Sequence, residues 1–123
     1  MLAEFDVIAF VHTTDAARAR QFYVGVLGLE LIEESPFALV LRSGRSMIRV
    51  TPVESHAASP HTVLGWSVGD LSPVIDALTN RGVQPLRYDG LDQDERGIWQ
   101  APGGARVAWF PDPDGNVLSL TQL

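Results

Sequence analysis

Apolar residues recur at helical spacing in two stretches of this chain, and short β-like runs surround both. Ala19, Phe22, Tyr23, Val26 and Leu27 fall at i, i+3, i+4, i+7 and i+8, one stripe of a helix. Asp15 suits its N-cap and Gly28 its C-terminal stop. Upstream, residues 5–12 are rich in Val, Ile and Phe and read as a strand. Downstream come three short runs, 29–33, 37–42 and 47–51, separated by Ser35-Pro36 and by the turn Ser43-Gly44-Arg45, which predicts a meander. The order then recurs. Residues 62–68 read as a strand, and Leu71, Val74, Ile75 and Leu78 form a second helical stripe, capped by Asp70 or Ser72 and stopped by Gly82. Setting Asp15 on Asp70 places Leu29-Glu30-Leu31 opposite Val83-Gln84-Pro85. Strands over 106–110 and 116–121 follow, joined by the tight turn Asp112-Pro113-Asp114-Gly115.

The chain therefore reads as an α+β protein of two βαβββ modules, within a single domain over residues 4–122. Module one spans about 5–52, a polar linker 53–61, and module two about 62–122. Residues 89–104 interrupt the repeat as an insertion without a clear period, and loops of such length are functional or disordered. Trp99 within it argues against simple disorder.

Composition narrows the chemistry. At 123 residues and 46% hydrophobic content the chain makes one globular domain with a core of its own. Cysteine is absent, which removes disulfides, thiolate nucleophiles and Cys-ligated metals and fits a reducing cytoplasm. A net charge of −6 repels phosphate backbones and anionic membrane surfaces, so neither nucleic acid nor membrane is an expected partner. No apolar run reaches the ~20 residues of a membrane helix, and the N-terminus lacks a basic region before an apolar stretch; a cytoplasmic protein is expected.

Asp15 followed seven residues later by Phe22-Tyr23, then Val26-Leu27-Gly28-Leu29, and near the end Trp109-Phe110-Pro111-Asp112-Pro113-Asp114-Gly115-Asn116, together resemble the vicinal oxygen chelate superfamily. That superfamily includes glyoxalase I, extradiol dioxygenases and bleomycin-resistance proteins. The resemblance implies that the two modules curve their sheets into a cup with helices outside, that ligand or metal binds in the cup, and that the chain forms a homodimer. These motifs specify fold better than reaction.

The resemblance also implies four metal-ligand positions. Here they fall on Ile8, seven before Asp15; on Val63, seven before Asp70; on Ser119, four after Gly115; and on Arg49, near the end of module one. Two aliphatics, a permanent cation and a weak neutral donor do not make a divalent-cation site, so no metal cofactor is expected. Alternation places His12 on the face of Ile8 and His61 on that of Val63, so a relocated site remains an alternative to surface or capping histidines; His56 reads as linker. Asp92-Gln93-Asp94-Glu95-Arg96-Gly97 imitates the start of a calcium loop, but Arg96 takes position five and Gly103 position twelve, which reads as a solvated lid or edge loop.

Alternation predicts that Ile8, Phe10 and His12, then Val63, Gly65 and Ser67, then Val117, Ser119 and Thr121 line the cup. Val7, Val11, Leu64, Trp66, Val68, Leu118 and Leu120 form the complementary set under the helices. Tyr88 and Trp109 suit either place, and Trp99 either covers a ligand or packs back on its sheet. An in-cup Arg49 implies an anionic ligand; the alternative is an exposed Arg49, or one paired with a loop carboxylate such as Asp94. The expected function is metal-independent binding of a small organic molecule, as in the bleomycin-resistance branch, with ligand contacts from Phe10, His12, Arg49, Ser67, Trp99 and Ser119. The rival is a glyoxalase- or dioxygenase-like enzyme whose metal ligands have moved to His12, His61 and an acid of the insertion. A third reading is metal-free catalysis with His12 as base and Arg49 as oxyanion stabiliser.

Overall fold

In the computed structural model, which describes residues 1–123, Asp15 caps the first helix through its side chain: Oδ1 accepts the Arg18 amide at 3.1 Å, and α1 runs Ala16–Arg20. The period-four stripe predicts a plain α-helix as far as Leu27. Instead the helix widens into a π-helical turn, Gln21–Val26, in which the Leu27 amide reaches back to the Phe22 carbonyl at 2.9 Å. The wider turn keeps the sequence neighbours Phe22 and Tyr23 both buried, edge to face at 5.2 Å. Gly28, at φ +75°, then leaves the helix through the left-handed region that favours glycine.

Two compact units follow one another, Met1–Ala57 and Ala58–Leu123. In the first, β1 (Ile8–Thr13), α1, β2 (Glu30–Glu34), β3 (Leu39–Ser43) and β4 (Ser46–Pro52) build a sheet of order β1-β4-β3-β2. In the second, β5 (Thr62–Ser67), α2 (Leu71–Asn80), β6 (Trp99–Gln100), β7 (Arg106–Pro111) and β8 (Val117–Gln122) build a sheet of order β5-β8-β7-β6. The first strand of each unit runs parallel to its last, and the remaining pairs are antiparallel. The βαβββ repeat is thus present in topology as well as in pattern, and the fold is α+β.

Four local expectations are corrected or refined. Val83-Gln84-Pro85 forms no strand: Pro85 has no amide to give a ladder, and this stretch joins β7 through the Leu86 amide on the Trp109 carbonyl at 2.8 Å. The edge strand of the second sheet is β6, inside what reads as an insertion. Asp70 stands at the N-cap of α2 without a side-chain bond; the Leu71 amide donates instead to Gln122 Oε1, 51 residues away, at 2.9 Å. Val7 lies ahead of β1 and is 77% exposed rather than buried.

The core follows the pleat. One face of the first sheet carries Val11, Leu39, Leu41, Ile48 and Val50, all buried, and α1 packs against β4. A bulge at Ile32 brings Glu34 onto this face, where it reaches Arg20 of α1 at 2.8 Å. In the second sheet Phe110, Leu118 and Leu120 are buried on the face toward α2, and Trp66 stacks on Phe110 with centroids 6.4 Å apart. Asp112 ties the last turn: Oδ1 accepts the Asp114 and Asn116 amides, each at 2.9 Å, and Gly115 adopts φ +82°. None of the helices is long and apolar enough to cross a membrane.

Candidate functional site

The faces turned away from the core carry the residues singled out by sequence. In the first unit Phe10 of β1 is registered with Arg49 of β4, Arg49 with Val40 of β3, and Val40 with Glu33 of β2, so these four share a row. Ile8, Met47, Arg42 and Glu30 form the adjacent row, and His12 with Thr51 the next. Phe10, His12 and Arg49 therefore stand on one sheet face. Arg42 is neutralised there by Glu30, with Nε and Nη2 on the two carboxylate oxygens at 3.1 and 2.8 Å. His56 is not plain linker: it is half-buried, its ring edge-on to His12 with centroids 5.8 Å apart.

The second unit repeats the arrangement. Gly65 of β5 is registered with Ser119 of β8, and Ser119 with Trp109 of β7; Ser67, Thr121, Val107 and Trp99 form the next row. Ser67, Ser119 and Trp99 thus share one face. Gly65 precedes Asp70 by five residues as Phe10 precedes Asp15, so the register makes Ser119 the counterpart of Arg49. Val63 is the extra residue of a bulge between Thr62 and Leu64 and has no partner on β8.

Trp109 is the centre of an aromatic cluster that the sequence left undecided. Tyr88 meets its ring edge to face at 5.2 Å and 86°, and Trp99 lies tilted against it at 6.2 Å. Burial pushes the Tyr88 phenol above its ordinary pKa. Beside them Pro60, His61, Thr62, Tyr88, Leu91 and Trp109 line a groove of about 230 Å³.

Gln93, which sequence reasoning passed over, holds this cluster together. Its Oε1 accepts the Tyr88 amide at 2.7 Å, while Nε2 donates to the Leu86 and Gly97 carbonyls at 2.9 and 2.8 Å. All three groups are backbone, which is why no side-chain pattern announced it. Asp94 Oδ1 accepts the Arg96 and Ile98 amides, each at 2.9 Å, and Arg96 reaches Asp76 of α2 through Nε at 2.8 Å and Nη2 at 3.2 Å. Arg87 donates to the Asp94 and Glu95 carbonyls, both at 2.9 Å. The segment expected as a solvated lid or edge loop is an exposed, hydrogen-bonded loop anchored to a helix. Asp94 is taken up by that loop and does not pair with Arg49.

The metal-ligand positions of the resembled superfamily hold Ile8 and Val63, both exposed, a half-buried guanidinium at Arg49, and a hydroxyl at Ser119 that lies against Gly65. This donor set does not fit a divalent cation. Nor do three or more His, Asp or Glu side chains group anywhere in the chain so as to hold a metal ion.

Three solved structures illustrate the likeness. A superfamily member from Sphaerobacter thermophilus is 21% identical, with a TM-score of 0.74 and 97% of each chain covered. A lactoylglutathione lyase from Agrobacterium tumefaciens is 18% identical with a TM-score of 0.72, covering 96% of this chain and 92% of its own. A glyoxalase / bleomycin resistance protein from Catenulispora acidiphila is 20% identical with a TM-score of 0.72, covering 97% and 98%. At these identities the likeness concerns the fold alone. No curated protein matches the sequence. Residues 5–120, nearly the whole chain, match the family described as the Glyoxalase/Bleomycin resistance protein/Dioxygenase superfamily, and the chain belongs to that superfamily.

Proposed function

We propose that the protein binds a small organic molecule without a metal, through the aromatic cluster of its second unit, and that it does so in the cytoplasm as a homodimer. The observation that carries this reading is Trp109, set in register with Ser119 and flanked by Tyr88 and Trp99. At the C-terminal metal-ligand position that the resemblance implies, this chain has a small hydroxyl beside an indole. Half-exposed aromatic rings already packed against one another take apolar or aromatic ligands at low entropic cost, because few rotors are frozen on binding. The groove, at about 230 Å³, lies below the ~300 Å³ at which pockets for drug-sized ligands begin, which favours a small ligand or one shared with a second protomer.

The test is metal content and ligand binding measured on the same tag-free protein. After exposure to nickel, zinc, iron and manganese, mass spectrometry should find no stoichiometric metal, while 1-naphthol should shift the indole N–H signals of Trp99 and Trp109. About one tightly held metal per chain, or no response of either indole, would overturn the reading.

A further inference from the structure

Arg49 is the one half-buried arginine of the chain to which the fold gives neither an ion pair nor a side-chain hydrogen bond; Arg106, the other half-buried arginine, is hydrogen-bonded to Gln122 and Ser72. All nine basic residues are arginines, and each of the others has a partner within the chain except Arg45, which is exposed in the β3–β4 turn. A guanidinium partly removed from water loses hydration that a chain-borne carboxylate ordinarily replaces. The two strand neighbours of Arg49 in its own row are apolar. Phe10, 60% exposed, is its neighbour on one side and Val40 on the other, with Ile8 and Met47 exposed in the adjacent row. Glu33 shares the row but stands two strands away, about 10 Å by strand spacing.

We infer that the face formed by Arg49 and Phe10 is a recognition site for the carboxylate of an aromatic or apolar organic acid. The guanidinium fork matches a carboxylate through two parallel N–H···O bonds, and the exposed Phe10 ring offers the apolar body of such an acid a surface beside them. A carboxylate fits better than a phosphate ester. Glu33 in the same row and the net charge of −6 oppose a dianion more than a monoanion. Of the two adjacent rows, one carries His12, 5.8 Å from His56, and the other carries Arg42, already engaged by Glu30, so the site offers no second unpaired fixed cation for a second anionic charge.

The inference deepens the proposed small-molecule binding and rests on it for the kind of molecule, though it concerns a different unit of the chain. Binding of 1-naphthoate, 1-naphthyl phosphate and neutral 1-naphthol to the wild type, Arg49→Met and Arg49→Lys should be followed by amide and indole NMR shifts. Naphthoate should shift the Phe10 and Arg49 amides and bind Arg49→Met about tenfold or more weakly than wild type, with Arg49→Lys between them. Naphthol should bind all three proteins alike. Equal naphthoate affinity in wild type and Arg49→Met overturns the carboxylate site, as does tighter binding of the phosphate than of the carboxylate. Loss of the naphthol response at Trp109 instead overturns the aromatic binding reading, so the two failures are distinct. Arg49→Met keeps the aliphatic stem and breaks no bond within the chain, and an unchanged amide spectrum away from β1, β3 and β4 verifies its fold.

Discussion

Ser119 occupies the space that a side chain at Gly65 would need: a Cβ built on Gly65 would lie 2.5 Å from Ser119 Oγ. The two strands run parallel in register here, so neither backbone can move aside alone. Gly65→Ala should therefore cost about 1 to 3 kcal/mol by overpacking. The same change in a Ser119→Ala background should cost less than half as much, because the remaining Ser119 contacts, the carbonyl oxygen at 3.5 Å and Cβ at 3.8 Å, are ordinary ones. Urea denaturation of the four proteins in the cycle checks this, and additive effects would show that the two residues do not compete for space.

Two tryptophans should separate stability from binding. Trp66 stacks on buried Phe110 toward α2, so Trp66→Ala should lose about 3 kcal/mol or more as a core truncation. Trp99 lies on the opposite face against Trp109, so Trp99→Ala should weaken naphthol binding with a smaller loss of stability. Thermal unfolding alongside ligand titration decides it, and reversed effects would invert the assignment of faces.

Gln93→Ala should loosen the whole loop rather than one contact. It leaves the Tyr88 amide and the Leu86 and Gly97 carbonyls without their partner, at a cost of about 1 to 3 kcal/mol for groups that water does not fully recover. Hydrogen exchange should accelerate at the Tyr88 and Gly97 amides and remain unchanged at Leu118 in the core. Gln93→Glu keeps an acceptor for Tyr88 but loses the donor to both carbonyls, so it should give an intermediate result.

The Arg96 guanidinium, by hydrogen bond first and by charge second, holds the Asp76 carboxyl below its ordinary value of 3.8. A depressed carboxylate pKa means stability that is fully present above the unfolded value and lost as pH falls through the folded one. The loop anchor should thus be intact at neutral pH and weaken only below about pH 4. A carbon-detected titration of the Asp76 carboxyl should give a midpoint under 3.8, returning toward it in Arg96→Gln. The pair is exposed, so its effect on global stability should be small while the local titration remains clear.

Local chemistry was legible in the sequence wherever a residue acts on its near neighbours. Asp15 capping α1, Gly28 ending its turn, the Asp112 to Gly115 reversal and the period-two faces of β1 and β8 all arise from bonds or sterics within a few residues, and pattern reading reaches that far. The strand–helix–meander repeat was legible for the same reason. What tertiary structure alone decided involves partners remote in sequence or groups on the backbone. Gln122 caps α2 across 51 residues, Gln93 binds three main-chain groups, and the edge strand of the second sheet lies at Trp99–Gln100 because Pro85 withdraws its own segment from the ladder. The environment of Arg49 belongs to the same class: its residue type was plain from the start, but whether a carboxylate would meet it depended on the bulge at Ile32, which turns Glu34 toward Arg20 and puts Glu33 in the row of Arg49, and on the strand order, which keeps Glu33 two strands away.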